Sequence, residues 1–397
     1  MKIVITGATG YVGRNLIPLI QKRGTDLLLV GRDPSKVSAC FPGVRCCGYG
    51  DLVREAQGYT TLLHMAVLNT NSNEPLETFL DVNVNGALET AELARKSGIK
   101  TFVNVSSTHA LDPTNTSYYA ISKRKAAAEL AKLKGLEVIS IYLPYVYEPK
   151  FSDRLSFLSR LPSPLARLMF HVIASRRPTV SIDRIAGFIE DLETDGFFAS
   201  LPAPAILSDG QADNPAFAFF KRVIDVLFAL VVVVLFWWLL VVIWVLIRTE
   251  SKGPGIVAQE KIGRDGRPFT CYRFRTTKSG PESLEMHRAS AAPVTRLGRA
   301  LRKLNLDELP QIINIFRNEM SLVGPSACLP EQRELVDARR QLGVLALKPG
   351  VCSLAQMNGI DMNDPEIHAQ WDARYMALQS LRFDWNIFIA AVLGSGK

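Results

Sequence analysis

Two short stretches of this sequence hold side chains whose types and spacing suit catalysis. In Tyr119-Ala120-Ile121-Ser122-Lys123 a phenol and an amine stand four residues apart, which on a helix puts them on one face. A Lys ammonium beside a phenol favours phenolate and draws the Tyr pKa down toward a usable value. The run Phe102-Val103-Asn104-Val105-Ser106-Ser107-Thr108 ends in hydroxyls, and that of Thr108 or Ser107 could bond the same substrate oxygen. Such a trio suits hydride transfer at an alcohol or ketone carbon. The second stretch, Leu306-Asp307-Glu308-Leu309-Pro310-Gln311, sets two carboxylates side by side. Asp307 and Glu308 suit covalent phosphoryl chemistry, one attacking phosphorus and the other holding a Mg²⁺ that spreads the phosphate charge. The competing reading is that two acids at a helix start only complement its dipole.

These groups need elements to position them. Lys2-Ile3-Val4-Ile5 predicts a short buried strand, Gly7-Ala8-Thr9-Gly10-Tyr11-Val12-Gly13 a tight turn, and Leu16, Ile17 and Ile20 the buried side of a helix. Gly7, Gly10 and Gly13 let the chain bend and approach a pyrophosphate closely, with Tyr11 and Val12 opening the helix whose amides face it. The next strand, Leu27 to Val30, ends in Gly31-Arg32-Asp33. An Asp there holds the ribose 2′-hydroxyl of NAD and an Arg accommodates the 2′-phosphate of NADP, so Arg32 favours NADP(H), with NAD as the alternative. Further on, Arg264-Asp265-Gly266-Arg267 predicts a hairpin turn, after which Arg273 and Arg275 alternate with Phe274 and could share one face. Leu309, Ile312, Ile313 and Phe316 follow at helical spacing, and Pro310 fits the first turn of that helix.

The whole chain has 397 residues and a mean hydropathy of +0.11, which excludes general disorder. Its one long apolar run, Val226 to Ile247, is 22 residues without a charge, so a polytopic membrane protein is excluded. Between Arg248 and Lys303 stand 13 Lys or Arg against 5 Asp or Glu, equal to the net charge of +8 for the entire chain. Such a window suits lipid headgroups or phosphorylated substrates. No nucleic-acid motif accompanies it, so no nucleic acid is expected as a partner. The six cysteines form no CxxC pair, which argues for free thiols and against a zinc site or disulfide scaffold. The N-terminus has no secretory h-region.

With Leu63-His64-Met65-Ala66, Asn83-Val84-Asn85-Gly86, Leu143-Pro144-Tyr145-Val146-Tyr147-Glu148-Pro149 and Ser181-Ile182-Asp183-Arg184-Ile185-Ala186 added to the glycine turn and the Tyr-Lys pair, the first half resembles the extended short-chain dehydrogenase/reductase family, in its sugar-nucleotide branch. The resemblance implies Tyr119 as acid/base, Lys123 as cofactor ribose contact and Tyr activator, and Thr108 as substrate contact. From Phe217 to about Phe388 the chain resembles the monotopic phosphoglycosyl transferases. This rests on Lys221-Arg222-Val223-Ile224-Asp225, Ser251-Lys252-Gly253-Pro254, Gln259-Glu260, Phe274-Arg275, Arg299-Ala300-Leu301-Arg302-Lys303 and Leu306 through Gln311. Met320-Ser321-Leu322-Val323-Gly324-Pro325, Lys348-Pro349-Gly350, Ala355-Gln356 and Asn358-Gly359 complete the series. It implies Asp307 as nucleophile, Glu308 as its Mg²⁺-linked partner, and Arg275, Arg302 and Lys303 as phosphate or carrier contacts.

Four positions depart from these families: Leu143 replaces an Arg, Ser326-Ala327 an Arg-Pro, Leu354 a Trp, and Trp237-Trp238 the Ser-Pro that breaks the apolar helix. A straight helix of the apolar run measures roughly 33 Å, enough to cross a bilayer. Basic residues flank both ends (Lys221, Arg222; Arg248, Lys252), so the positive-inside rule does not choose a side. Both domains need cytoplasmic substrates, so a re-entrant or interfacial helix hairpin is expected.

The expected fold class is α/β. Residues 1–198 form a Rossmann-type doubly wound parallel sheet, 199–216 a linker, 217–250 a membrane-embedded helix, and 251–397 a small mixed α/β transferase domain. The expected function is reduction or epimerisation of a UDP-linked keto sugar, then transfer of the sugar-1-phosphate to undecaprenyl phosphate. The expected partners are a UDP-sugar, undecaprenyl phosphate and membrane lipids, with a homodimer among the states considered. The place is the bacterial inner membrane, both domains on the cytoplasmic face. Two alternatives stand beside it: a non-catalytic regulatory first domain, or an active reductase anchored by a decayed transferase.

Overall fold

The structure is a computed structural model that describes residues 2–148, 153–192, 194, 197–198, 201–278 and 293–393. Pro149 of the loop motif, residues 199 and 200 of the expected linker, and 279–292 of the basic window lie outside the described residues. The chain divides into two compact units, Met1–Phe170 with Pro178–Gly210, and His171–Arg177 with Gln211–Lys397.

The first unit is built on strands β1 (Lys2–Thr6), β2 (Asp26–Val30), β3 (Arg45–Cys47), β4 (Thr61–His64), β5 (Thr101–Ser107) and β6 (Glu137–Leu143). A short parallel pair, β7 (Tyr145–Tyr147) and β8 (Thr179–Ser181), follows, and β9 (Ala205–Ile206) returns to the main sheet. The seven strands run parallel in the order β3-β2-β1-β4-β5-β6-β9. Successive side chains of a strand face opposite ways, and here both faces are covered. Ile3 and Ile5 pack with Leu16, Ile17 and Ile20 of the helix Tyr11–Lys22, while Val4 packs with Ala87, Ala91 and Leu130 on the other side. That is why the strands read as unbroken apolar runs. The order reverses between β1 and β4, which opens the crevice where such sheets bind ligands.

One expectation fails here. The segment read as a linker contributes β9, because Ala205 and Ile206 pair with Ile141 and Tyr142 at the sheet edge.

The second unit is organised around one helix, Pro215–Glu250, capped by the Asn214 side chain on the Phe217 amide. Its 36 residues make a rod of about 54 Å. The hairpin expected at Trp237-Trp238 does not form. After Pro215 the helix contains no Pro or Gly, and sharp breaks need one of these or an inserted group. β10 (Ile256–Ile262) and β11 (Pro268–Phe274) form the expected antiparallel hairpin, its turn holding Asp265 at φ +58°. β12 (Ser321–Val323) and β13 (Gly350–Cys352) pair in parallel.

One stripe of the long helix faces this unit along its entire length. Ala229 and Val232 pack with Cys271, Ile312 and Met320. Ile243 and Ile247 pack with Phe274 and Leu301. The charges near the start belong to the same stripe. Asp225 accepts from the Ser321 hydroxyl (3.0 Å) and the Leu322 amide (2.8 Å). Lys221 donates to the Val323 carbonyl (2.9 Å) and pairs with Asp384. Arg222 donates to the carbonyls of Ile315 (2.6 Å) and Phe316 (3.1 Å). The opposite arc, including Leu227, Val234, Leu235, Trp237 and Trp238, is exposed.

Candidate active sites

The first site lies at the C-terminal ends of β1, β4 and β5. Gly7 follows β1 at φ +75°, and a Cβ there would lie 2.5 Å from the Ala66 amide nitrogen. A Cβ on Gly13 would lie 2.3 Å from the Ala8 carbonyl oxygen, so only glycine lets helix and strand meet this closely. Gly10 is the N-cap and offers no capping side chain. Tyr11 and Val12 begin the helix as expected. This cradle fits a dinucleotide pyrophosphate. At the end of β2, the Asp33 carboxylate caps the next helix by accepting from the Lys36 amide (3.3 Å), and Arg32 beside it is exposed.

Tyr119 and Lys123 sit on the helix Tyr118–Leu130, capped by Ser117. Its side chains are held from outside by Asn83, which donates to the Ser122 hydroxyl (2.9 Å) and accepts from the Leu68 amide (2.7 Å). The charge pairing differs from the expectation. Lys123 is buried and donates to the Val105 carbonyl at 2.8 Å. Burial lowers its pKa to about 8. The Tyr119 phenol is raised, not lowered: burial dominates, and the opposing contribution comes from the Ser107 hydroxyl. Of the two hydroxyls considered, that of Ser107 is the one that bears on the phenol's pKa. Thr108 opens the short turn Thr108–Leu111 after it. A neutral phenol suits proton donation to a carbonyl oxygen. His64 is not a second acid. Its Nδ1 meets the Thr6 hydroxyl at 2.9 Å, its ring stacks on Phe102, and burial takes its pKa to about 3.

The second site is assembled on β11 and the turn that follows the helix Arg296–Lys303. A Cβ on Gly298 would lie 2.1 Å from the Thr276 carbonyl oxygen. This close approach brings Arg302 within 2.9 Å of the Thr276 hydroxyl. Lys303, next to it, is exposed. Asn305 at φ +55° then starts a 3₁₀ turn, Leu306–Gln311. Pro310 lies inside that turn and not in the first turn of an α-helix, since the following α-helix starts only at Ile312.

Asp307 and Glu308 differ in their surroundings. Glu308 forms an ion pair with Arg273 of β11. Asp307 is 7% exposed, and among the described residues no hydrogen bond or ion pair reaches its carboxylate. Arg273 lies within β11 and reaches Glu308, a contact the motif alone does not reveal. Arg275 goes elsewhere. Its guanidinium donates to the carbonyls of Ile247 (3.3 Å), Ser251 (2.8 Å) and Lys252 (3.0 Å). It therefore satisfies the open carbonyls at the end of the long helix, which accounts for its position without a phosphate.

Among the described residues no group of three His, Cys, Asp or Glu side chains is placed to hold a metal. Mg²⁺ commonly takes one or two carboxylates plus substrate phosphates, and Asp307 with Glu308 fits that kind of site alone. Ser326, where the related motif has Arg, is buried with its hydroxyl on Ser353 (2.7 Å). Its carbonyl accepts from Arg339 (2.9 Å), which also holds the buried Asp372.

Residues 216–395 match the family model described as bacterial sugar transferase, and residues 3–169 that described as NAD dependent epimerase/dehydratase family. The UDP-N-acetylgalactosamine-undecaprenyl-phosphate N-acetylgalactosaminephosphotransferase of Aeromonas hydrophila is 36% identical over 184 residues, 43% of this chain and 42% of that protein. This chain thus spans less than half of that relative's length. Exopolysaccharide production protein ExoY of Sinorhizobium fredii is 32% identical over 190 residues, 44% of this chain and 84% of that protein. A solved UDP-glucose 4-epimerase from Thermotoga maritima matches at 18% identity with a TM-score of 0.38, over 49% of this chain and 74% of that one. The chain belongs to the bacterial sugar transferase family through residues 216–395, and ahead of them residues 3–169 match the model of the NAD dependent epimerase/dehydratase family.

Proposed function

We propose that the second unit transfers a sugar-1-phosphate from a UDP-sugar to undecaprenyl phosphate, with Asp307 as nucleophile. The observation that carries this is the Asp307 carboxylate, buried yet without a partner among the described residues, beside a Glu308 that Arg273 already holds. Asp307 attacks the β-phosphorus and the bond to the bridging oxygen breaks, releasing UMP. An oxygen of the carrier phosphate then attacks the aspartyl phosphosugar, forming the polyprenyl-diphosphate sugar and freeing the carboxylate. Arg302 and Lys303 steady the phosphates from the neighbouring helix. A Mg²⁺ bound by Asp307 and Glu308 would supply neutralisation of phosphate charge. Sustained turnover of UMP that requires undecaprenyl phosphate, with the lipid product read by mass spectrometry, tests this. Repeated turnover of UMP without lipid product, beyond the single equivalent of the first half-reaction, would reject it.

The first unit is proposed to reduce or epimerise a UDP-linked keto sugar. NADP(H), when bound in the glycine cradle with Arg32 at the ribose, would supply hydride chemistry. Tyr119 gives its proton to the carbonyl oxygen, and Ser107 and Thr108 orient that oxygen. A second reading, a nucleotide-binding regulatory module, is favoured by the Lys123 ammonium meeting Val105 instead of Tyr119. NADPH oxidation driven by a keto-sugar nucleotide separates the two.

The long helix is proposed to lie along one leaflet of the bacterial inner membrane, with both units on the cytoplasmic face. Lys221 at one end and Ile247 at the other are both fastened to the same polar unit. A crossing helix would draw that unit into hydrocarbon, where its polar backbone and charges are costly.

A further inference from the structure

The helix Ser163–Arg176 has its faces reversed for a soluble surface. Its buried residues are Ala166, Phe170, Ala174 and Ser175, mostly small. Its exposed large apolar residues are Leu165, Leu168, Met169 and Val172, the spacing of one continuous stripe. Leu168 is 56% exposed. Phe157, in the turn before the helix, is exposed as well. Neither family motif nor either active site uses this stripe.

We infer that this stripe is a second membrane contact that docks on an anionic phospholipid surface. From Leu155 to Ile182 the sequence has Arg160, Arg167, Arg176 and Arg177 and no Asp or Glu. Bulky apolar side chains flanked by Arg alone match the headgroup boundary of an anionic leaflet. A second copy of this chain fits poorly, because a two-fold interface would set this basic patch against itself. The last turn is also tied to the start of the long helix. Asn214, which caps that helix, donates to the His171 carbonyl (3.0 Å). Gln211 donates to the Ala174 carbonyl (2.8 Å). The inference rests on the membrane placement of the long helix proposed above.

The test uses the full chain in nanodiscs made of equal parts phosphatidylglycerol and phosphatidylcholine, or of phosphatidylcholine alone. A nitroxide is placed at Leu168→Cys, with Cys40→Ser removing the exposed native thiol and the Leu168 chain giving the background. A separate Leu235→Cys label reports the long helix. Docking predicts that the 168 label is open to oxygen and shielded from a water-soluble nickel chelate in anionic nanodiscs. Each Arg→Gln change at 167 or 176 should lower the docked-to-undocked ratio about fivefold. Open nickel access at 168 while 235 is lipid-shielded overturns this inference alone. Nickel access at 235 overturns the membrane reading beneath it. Shielding of 168 from both probes identifies a protein contact and also overturns the inference.

Discussion

The two active sites fail their simplest sequence reading in the same way, and for different reasons. In the first unit Tyr119 and Lys123 share a helix, yet the ammonium meets the Val105 carbonyl. In the second unit Asp307 and Glu308 are adjacent, yet one is held by Arg273 and the other by nothing described. Adjacency in sequence locates a reactive pair. The strand beneath the pair decides which member is held: β5 takes Lys123 and β11 takes Glu308. Tyr119 is left neutral by burial, ready to donate a proton. Asp307 has no partner among the described residues, as the proposed nucleophile requires.

The largest expected effect comes from removing the free carboxylate. Asp307→Asn should cut UMP release by roughly 10⁴-fold or more and leave NADP(H) binding in the other unit unchanged, measured by coupled UMP assay and cofactor titration. Tyr119→Phe should lower keto-sugar reduction by about 10²- to 10⁴-fold without changing transfer of a ready-made UDP-sugar. If both activities fall together, the two sites are not separable in the way described.

Arg275→Ala separates a structural role from phosphate binding. It should destabilise the second unit by about 3 kcal/mol, read as a lower denaturation midpoint, while KM for the UDP-sugar in the folded fraction stays unchanged. A raised KM at unchanged stability would restore the phosphate role.

Lys123 provides the smallest effect, and its sign follows from burial. Its folded pKa of about 8 lies below the ordinary lysine value of 10.5. The native state therefore binds fewer protons than the unfolded one between these values, and stability rises with pH across that window. Lys123→Met should stabilise the first unit by about 1 to 3 kcal/mol at pH 7, and this gain should shrink toward pH 10.5. Thermal melts of both forms across that range give the answer.

Much of the frame was legible because local chemistry dictated it. Gly7 and Gly13 are required by backbone approaches, the Asp265-Gly266 turn by positive φ, and the strands by apolar runs buried on both faces. The destinations of long side chains were not legible, since each depends on an element distant in sequence. Arg275 reaches back to Ser251, and Lys221 reaches forward to Asp384. The flanking charges Lys221 and Arg222 looked like topology signals and are instead tethers to the second unit. Ser107 and Thr108 could not be ranked without knowing where β5 ends relative to the phenol.

The central claim is that the partnerless Asp307 carboxylate forms a covalent phosphosugar. Intact-protein mass spectrometry, with a UDP-sugar present and undecaprenyl phosphate withheld, tests it most directly. The account predicts a mass gain of one sugar phosphate, located on the peptide containing Asp307 and lost when the carrier lipid is added. UMP and lipid product formed at full rate with no adduct at any time, and with an unmodified Asp307 peptide, would contradict it.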